Sequence, residues 1–147
     1  MDNEILNHIP HRPPFLFIDE IVEITPESLT ARFTAKPELE FFKGHYPGNP
    51  IMPGVLISEA VFQAGALFLA KAVEGKEGIP LGGAPVLTRI RDARFRSVVK
   101  PGDTLTIKVT ETERMGRFIF MKGSVTVDTR RVMTVDFGVA ISETETA

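Results

Sequence analysis

At 147 residues, 43% of them hydrophobic, the chain has room for one compact domain with a real buried core and none for a second. The absence of cysteine excludes disulfides and thiolate metal sites. A formal net charge of -2 argues against a general affinity for nucleic acid, whose binders carry a basic excess, so an anionic partner must meet a local patch. The first residues, MDNEILNHIP, lack a basic region followed by an apolar stretch. Neither a secretory signal nor a transit peptide is expected, and the expected compartment is the cytoplasm.

In chain order, FLFIDEIVEI (15–24) and SLTARFTAK (28–36) flank the turn-like TPES and predict a hairpin, with Leu29, Ala31, Phe33 and Ala35 alternating against polar neighbours. VLISEAVFQAGALFLAKAV (55–73) predicts the single long helix. Only Ser58, Glu59, Gln63 and Lys71 are polar there, and a helix apolar on nearly every face is buried all round. Glu59 and Gln63 interrupt the apolar run short of the roughly 20 residues a bilayer needs, so no membrane span is expected. GKEGIPLGG (75–83) reads as a loose loop. Four extended segments follow, 86–99, 104–113, 117–128 and 132–142, separated by KPGD, RMG and DTRR, whose Gly, Pro and Asp suit turns. Leu105, Ile107 and Val109 alternate with threonines and a lysine; Met133, Val135, Phe137, Val139 and Ile141 repeat the pattern. Strands with one buried face, joined by short turns, form an antiparallel sheet, here expected to curve around the helix in an α+β fold.

Glu59 and Gln63 are four residues apart and share a helix face. A carboxyl in that apolar setting loses hydration if ionised, which suits a general acid. The alternatives are an ion pair with Arg89 or Arg91, or a carboxylate facing water at an interface. His45 lies in GHYPGNP, where prolines and glycines stiffen the backbone around the commonest general base; the plainer reading is a turn histidine with a satisfied hydrogen bond. Between the two, Pro53-Gly54 opens the helix, leaving the Gly54 and Val55 N–H groups free to polarise a carbonyl oxygen. His8 and His11 share NHIPHR, but Pro10 disfavours a common helix and no third ligand follows, so no metal site is expected. RIRDARFRSVVK (89–100) carries Arg89, Arg91, Arg94, Arg96 and Lys100 against Asp92 alone. Strict alternation puts Arg89 and Arg91 on one strand face and Arg94 and Arg96 on the other, with at least one pair exposed to an anionic partner.

HRPPFLFID (11–19), FKGHYPGNPIMPGVLISEAVFQAG (42–65) and ARFRSVVKPGDTL (93–105) together resemble the (3R)-hydroxyacyl-[acyl carrier protein] dehydratases of the FabZ type. The resemblance implies a hot-dog fold, a long helix wrapped by an antiparallel sheet, built as a homodimer and in part of the family as a trimer of dimers. It implies His45 and Glu59 as the catalytic pair, the His of one subunit facing the Glu of the other, and the Gly54 N–H on the thioester carbonyl. Val55 and Gln63 join Gly54 as expected substrate contacts. The related FabA-type dehydratase-isomerases usually carry aspartate where this chain has Glu59, which favours dehydration without isomerisation.

The implied reaction removes water from a 3-hydroxyacyl thioester and needs no metal or redox cofactor. Its substrate arrives on the phosphopantetheine of acyl carrier protein, which Arg94, Arg96 and Lys100 are expected to dock. A hot-dog acyl thioesterase and a non-catalytic acyl-binding subunit are the other readings of such a chain. Tyr46 stands in place of the family's usual phenylalanine, Val86 in place of a tyrosine that gates the acyl tunnel, and Arg89 and Arg91 in place of small or acidic residues. These differences bear on gating and chain-length preference.

Overall fold

The structure, a computed structural model, describes residues 3–72 and 85–141; the 75–83 loop lies outside them. Its elements are α1 (Asn3–His8), β1 (Glu20–Ile24), β2 (Ser28–Thr34), α2 (Phe41–Gly44), α3 (Gly54–Ala72), β3 (Pro85–Phe95), β4 (Thr104–Met115), β5 (Phe118–Val127) and β6 (Arg130–Ile141). The strands form one antiparallel sheet in the order β1-β2-β4-β5-β6-β3. The expected strands are all present, with ends shifted by a few residues. The short helices α1 and α2 had no counterpart in the sequence reading.

The alternating apolar residues of β2, β4, β5 and β6 turn one sheet face inward, where Leu29, Ile107, Val125 and Val135 are buried. Upon that face lies α3, through Ile57, Ala60, Val61, Ala64, Leu67 and Phe68, at the three- and four-residue spacing of one helix side. Each large apolar side chain so covered contributes about 1.5–3 kcal/mol. By length and composition α3 could cross a membrane, but here 61% of its most apolar window is buried, as in the core helix of a globular domain. Lys71 pairs with Glu4 and ties α1 to the end of α3.

Two departures from the sequence reading have local causes. Residues 15–19 are not strand, although Leu16, Phe17 and Ile18 are buried. The Gln63 side chain takes the Phe17 N–H at 2.8 Å and gives a hydrogen bond to the Phe15 carbonyl at 3.1 Å, so part of this backbone is satisfied by a side chain instead of a neighbouring strand. In β3, strict alternation fails. Arg91 pairs with Asp136 and Arg94 with Thr134, three residues against two, so a β-bulge absorbs one residue at Asp92, whose φ is 50°. Arg89, Arg91 and Arg94 therefore share the outer face of the sheet, and the expected split into two pairs on opposite faces is overturned.

Candidate active site

His45 follows α2 on a loop closed by the Ile51 N–H to the His45 carbonyl (2.7 Å) and the Asn49 N–H to the Tyr46 carbonyl (3.0 Å). The loop turns at Gly48, whose φ of 82° a side chain would disfavour. The imidazole Nδ1 lies 3.1 Å from the Ile51 carbonyl oxygen. A carbonyl only accepts, so Nδ1 carries a proton, and in the neutral ring Nε2 keeps its lone pair as a base. Tyr46 stacks on the ring at 4.3 Å between centroids.

Seven residues beyond the Tyr46 amide, the Pro53 carbonyl takes the Leu56 and Ile57 N–H groups and starts α3. Among the described residues nothing claims the Gly54 or Val55 N–H, so the helix opens with two unpaired donors at the positive end of its dipole. A Cβ on Gly54 would sit 3.1 Å from the Phe95 ring, so the start of the helix is seated against the end of β3 where a side chain has little room. The Val55 side chain is exposed.

One turn further along α3, Glu59 is 24% exposed, with Oε2 at 3.7 Å from His11 Nε2 and 3.2 Å from Gln63 Nε2. Its neighbours are therefore His11 and Gln63, not the arginines considered from sequence; Arg89 instead lies over the Phe120 ring at 5.8 Å. Gln63, expected to contact substrate, is 0% exposed and its amide is committed within the chain, so its visible part in the site is to hold Glu59. No hydrogen bond or ion pair joins His45 to Glu59 within the chain. The spacing of residues gave no sign that His11 reaches Glu59, because the two meet only through the path of residues 9–19 across α3.

The outer sheet face carries a cationic groove of about 470 Å³, lined by Arg94, Arg96, Lys108, Lys122 and Arg131 with Asp92 and Asp136. A second groove of about 450 Å³, lined by Arg89, Arg91, Met115 and Phe120 among others, shares Lys122 and Asp136 with it. Lys100 stands outside both, in the turn before β4, where its N–H meets Asp103 Oδ2 at 2.9 Å. Val86 is exposed on β3, at the edge of the sheet.

A family model for the FabA-like domain matches residues 9–136. The 3-hydroxyacyl-[acyl-carrier-protein] dehydratase FabZ of Myxococcus xanthus is 42% identical over 135 residues, covering 91% of this chain and 86% of that protein. The dehydratase of the same name from an Anaeromyxobacter species is 40% identical over 147 residues, covering 99% and 92%. Among solved structures, the dehydratase heterocomplex ApeI:P from Xenorhabdus doucetiae superposes with a TM-score of 0.79 at 15% identity, over 95% of this chain and 91% of that one. The Streptococcus mutans protein smu.793 bound to acetyl CoA gives 0.68 at 16% identity, over 93% and 98%. At such identities the structures speak for the hot-dog fold alone. The family model and the relatives near 40% identity span most of the sequence, and the chain belongs to the FabA-like family, as a member of the FabZ type.

Proposed function

We propose that the protein dehydrates (3R)-hydroxyacyl groups carried on acyl carrier protein to trans-2-enoyl-acyl carrier protein, in cytoplasmic type II fatty acid synthesis. The observation that carries the reading is the Nδ1 contact of His45 with the Ile51 carbonyl, which leaves Nε2 as the base, in a chain about 40% identical to named dehydratases. With the thioester carbonyl on the Gly54 N–H, charge developing on its oxygen meets an oriented donor, and the α-proton becomes more acidic. His45 Nε2 takes that proton. The C–H electron pair becomes the double bond, the Cβ–O bond breaks, and the hydroxyl leaves as water with a proton from Glu59. Oxidation states balance without a redox partner, and proton transfer by two side chains needs no metal.

No hydrogen bond or ion pair joins His45 to Glu59 of one chain, and a two-fold axis would supply each with its partner: the His of each subunit meets the Glu of the other in a homodimer. Exposed β3 offers the surface for that axis. Among the described residues it pairs only with β6, and Val86, Leu87, Ile90 and Phe95 are all exposed along it, an apolar edge that a monomer in water would blunt. The phosphopantetheine arm and its acidic carrier protein are met by the outer-face groove around Arg94 and Arg96, with Lys100 outside that groove.

The test is turnover of short- to long-chain (3R)-hydroxyacyl carrier-protein substrates by the purified chain, followed by enoyl absorbance and mass spectrometry. An enoyl product is expected. Release of acid and free thiol would make the protein a thioesterase, and no turnover would make it a non-catalytic acyl-binding subunit.

A further inference from the structure

We propose that His11 is a positioning residue for Glu59: with Gln63 it holds Oε2, so that Oε1 is the oxygen bearing the proton delivered to the leaving hydroxyl. This rests on the dehydratase reading above. Two N–H groups converge on one carboxyl oxygen. Gln63 Nε2 lies 3.2 Å from Oε2 and His11 Nε2 3.7 Å, the latter within a small side-chain adjustment of a hydrogen bond, as catalytic contacts without substrate often are. Among the described residues nothing bonds Oε1. An oxygen that accepts N–H donors is the carbonyl or charged oxygen of the group, and the proton resides on the other.

The orientation of each donor is fixed by the chain itself. The Gln63 amide cannot flip, because its Oε1 accepts the Phe17 N–H and its Nε2 donates to the Phe15 carbonyl; reversal would set donor against donor and oxygen against oxygen. For His11, Nδ1 is buried without a hydrogen-bond partner. A proton there would be an orphaned buried N–H, the costlier of the two vacancies, so the Nε2–H tautomer facing Glu59 is favoured. His11 also stands on an anchored segment. Arg12 donates to the carbonyls of Leu6 (2.8 Å), Ile9 (2.8 Å) and His11 itself (2.7 Å), with Pro10 before and Pro13-Pro14 after. The HRPP stretch thus does for Glu59 what the Ile51 carbonyl does for His45: it selects which atom of a proton-transfer group handles the proton.

A double-mutant cycle tests this, with kcat and KM measured on a (3R)-hydroxyacyl carrier-protein substrate for His11→Leu, Glu59→Gln and the double variant, and thermal melts as the folding control. His11→Leu is expected to lower kcat about tenfold with KM within about twofold, and to lower the residual kcat of Glu59→Gln less than about twofold, because residues acting as a unit are not additive. Equal factors in both backgrounds would overturn the role of His11 and leave the dehydratase reading standing. A Glu59→Gln enzyme with undiminished turnover would overturn both. A second pair keeps the test sharp if His11→Leu folds poorly: His11→Gln extends an N–H to the position of Nε2, whereas His11→Asn reaches only that of Nδ1. His11→Gln is expected to retain at least about fivefold more kcat than His11→Asn at matched Tm, and equal losses in the two would overturn the proposal.

Discussion

Gly123 on β5 lies directly beneath Val61 on α3, so close that a Cβ on Gly123 would collide with the Val61 Cγ1. Val61 is fully buried and two residues from Glu59, so this contact sets how deeply the helix that carries the carboxyl sits on the sheet. Gly123→Ala must push helix and sheet apart or force Val61 off its rotamer, at about 1–3 kcal/mol. The expected fall in Tm is about 2–4 °C for each kcal/mol. Gly44→Ala, where nothing lies within 4 Å, is the control and should leave Tm nearly unchanged. Equal melts for both variants would show that the close approach at Gly123 does not seat the helix.

The groove on the outer face concentrates positive charge in a chain whose net charge is -2. Reversal of Arg94 and Arg96 to glutamate is expected to raise KM for a carrier-protein substrate at least about tenfold, and KM for the same acyl group on a short pantetheine thioester by less than about twofold. The wild-type preference for carrier protein should also weaken between low and high salt, since exposed charges are screened over about 10 Å at 0.1 M. Equal effects on both substrates would move the docking surface away from this groove.

How far the fold could be read in advance depended on where each residue's partner lay. The apolar run of α3 and the alternation in β4 and β6 are local patterns with one dominant explanation each, and they gave the helix, the strands and the buried face. The bulge in β3 is different: RIRDARF reads as a regular strand, and only an extra residue absorbed at Asp92 brings Arg94 to the side of Arg91. Likewise the segment from Phe15 to Asp19 looks like strand by composition, but a side chain from α3 satisfies part of its backbone. In the site, His45 and Glu59 were conspicuous as a histidine in a stiff loop and a carboxyl in an apolar helix. His11 was not, because its contact with Glu59 spans 48 residues of sequence and depends on how the N-terminal segment crosses α3.

β3 should govern assembly. Ile90 sits on the inward-turned face of the strand, opposite Phe137, yet is 52% exposed, which leaves apolar surface to be covered from outside the chain. Ile90→Glu removes little from the monomer core, so Tm at high protein concentration is a weak readout and self-association a strong one. Sedimentation is expected to show the dimer weakened by at least about tenfold in Kd, the loss of one well-buried apolar contact plus the desolvation of a carboxylate, with turnover falling in parallel as protein is diluted. A variant that remains dimeric and fully active at the lowest measurable concentration would place the subunit contact elsewhere.

The proposal that the site is shared between subunits makes the most quantitative prediction. Within one chain His45 is held by the loop before α3, while Glu59, a turn inside the helix, accepts a hydrogen bond from Gln63 and has His11 at 3.7 Å, and no hydrogen bond or ion pair joins His45 to Glu59. If each site takes its base from one subunit and its acid from the other, a dimer has two sites, each built from both chains. His45→Ala and Glu59→Ala should each be inactive alone, having lost a proton-transfer group that typically contributes about 10²–10⁴-fold. When the two are unfolded and refolded together, a mixed dimer holds one site with both lesions and one with neither. Random pairing makes about half of the dimers mixed, with half of their sites intact, so activity should return to about a quarter of the wild-type level. Separately refolded proteins that are mixed afterwards should regain activity only as fast as subunits exchange. No recovery in a preparation proven to contain mixed dimers would place His45 and Glu59 of each site on the same chain.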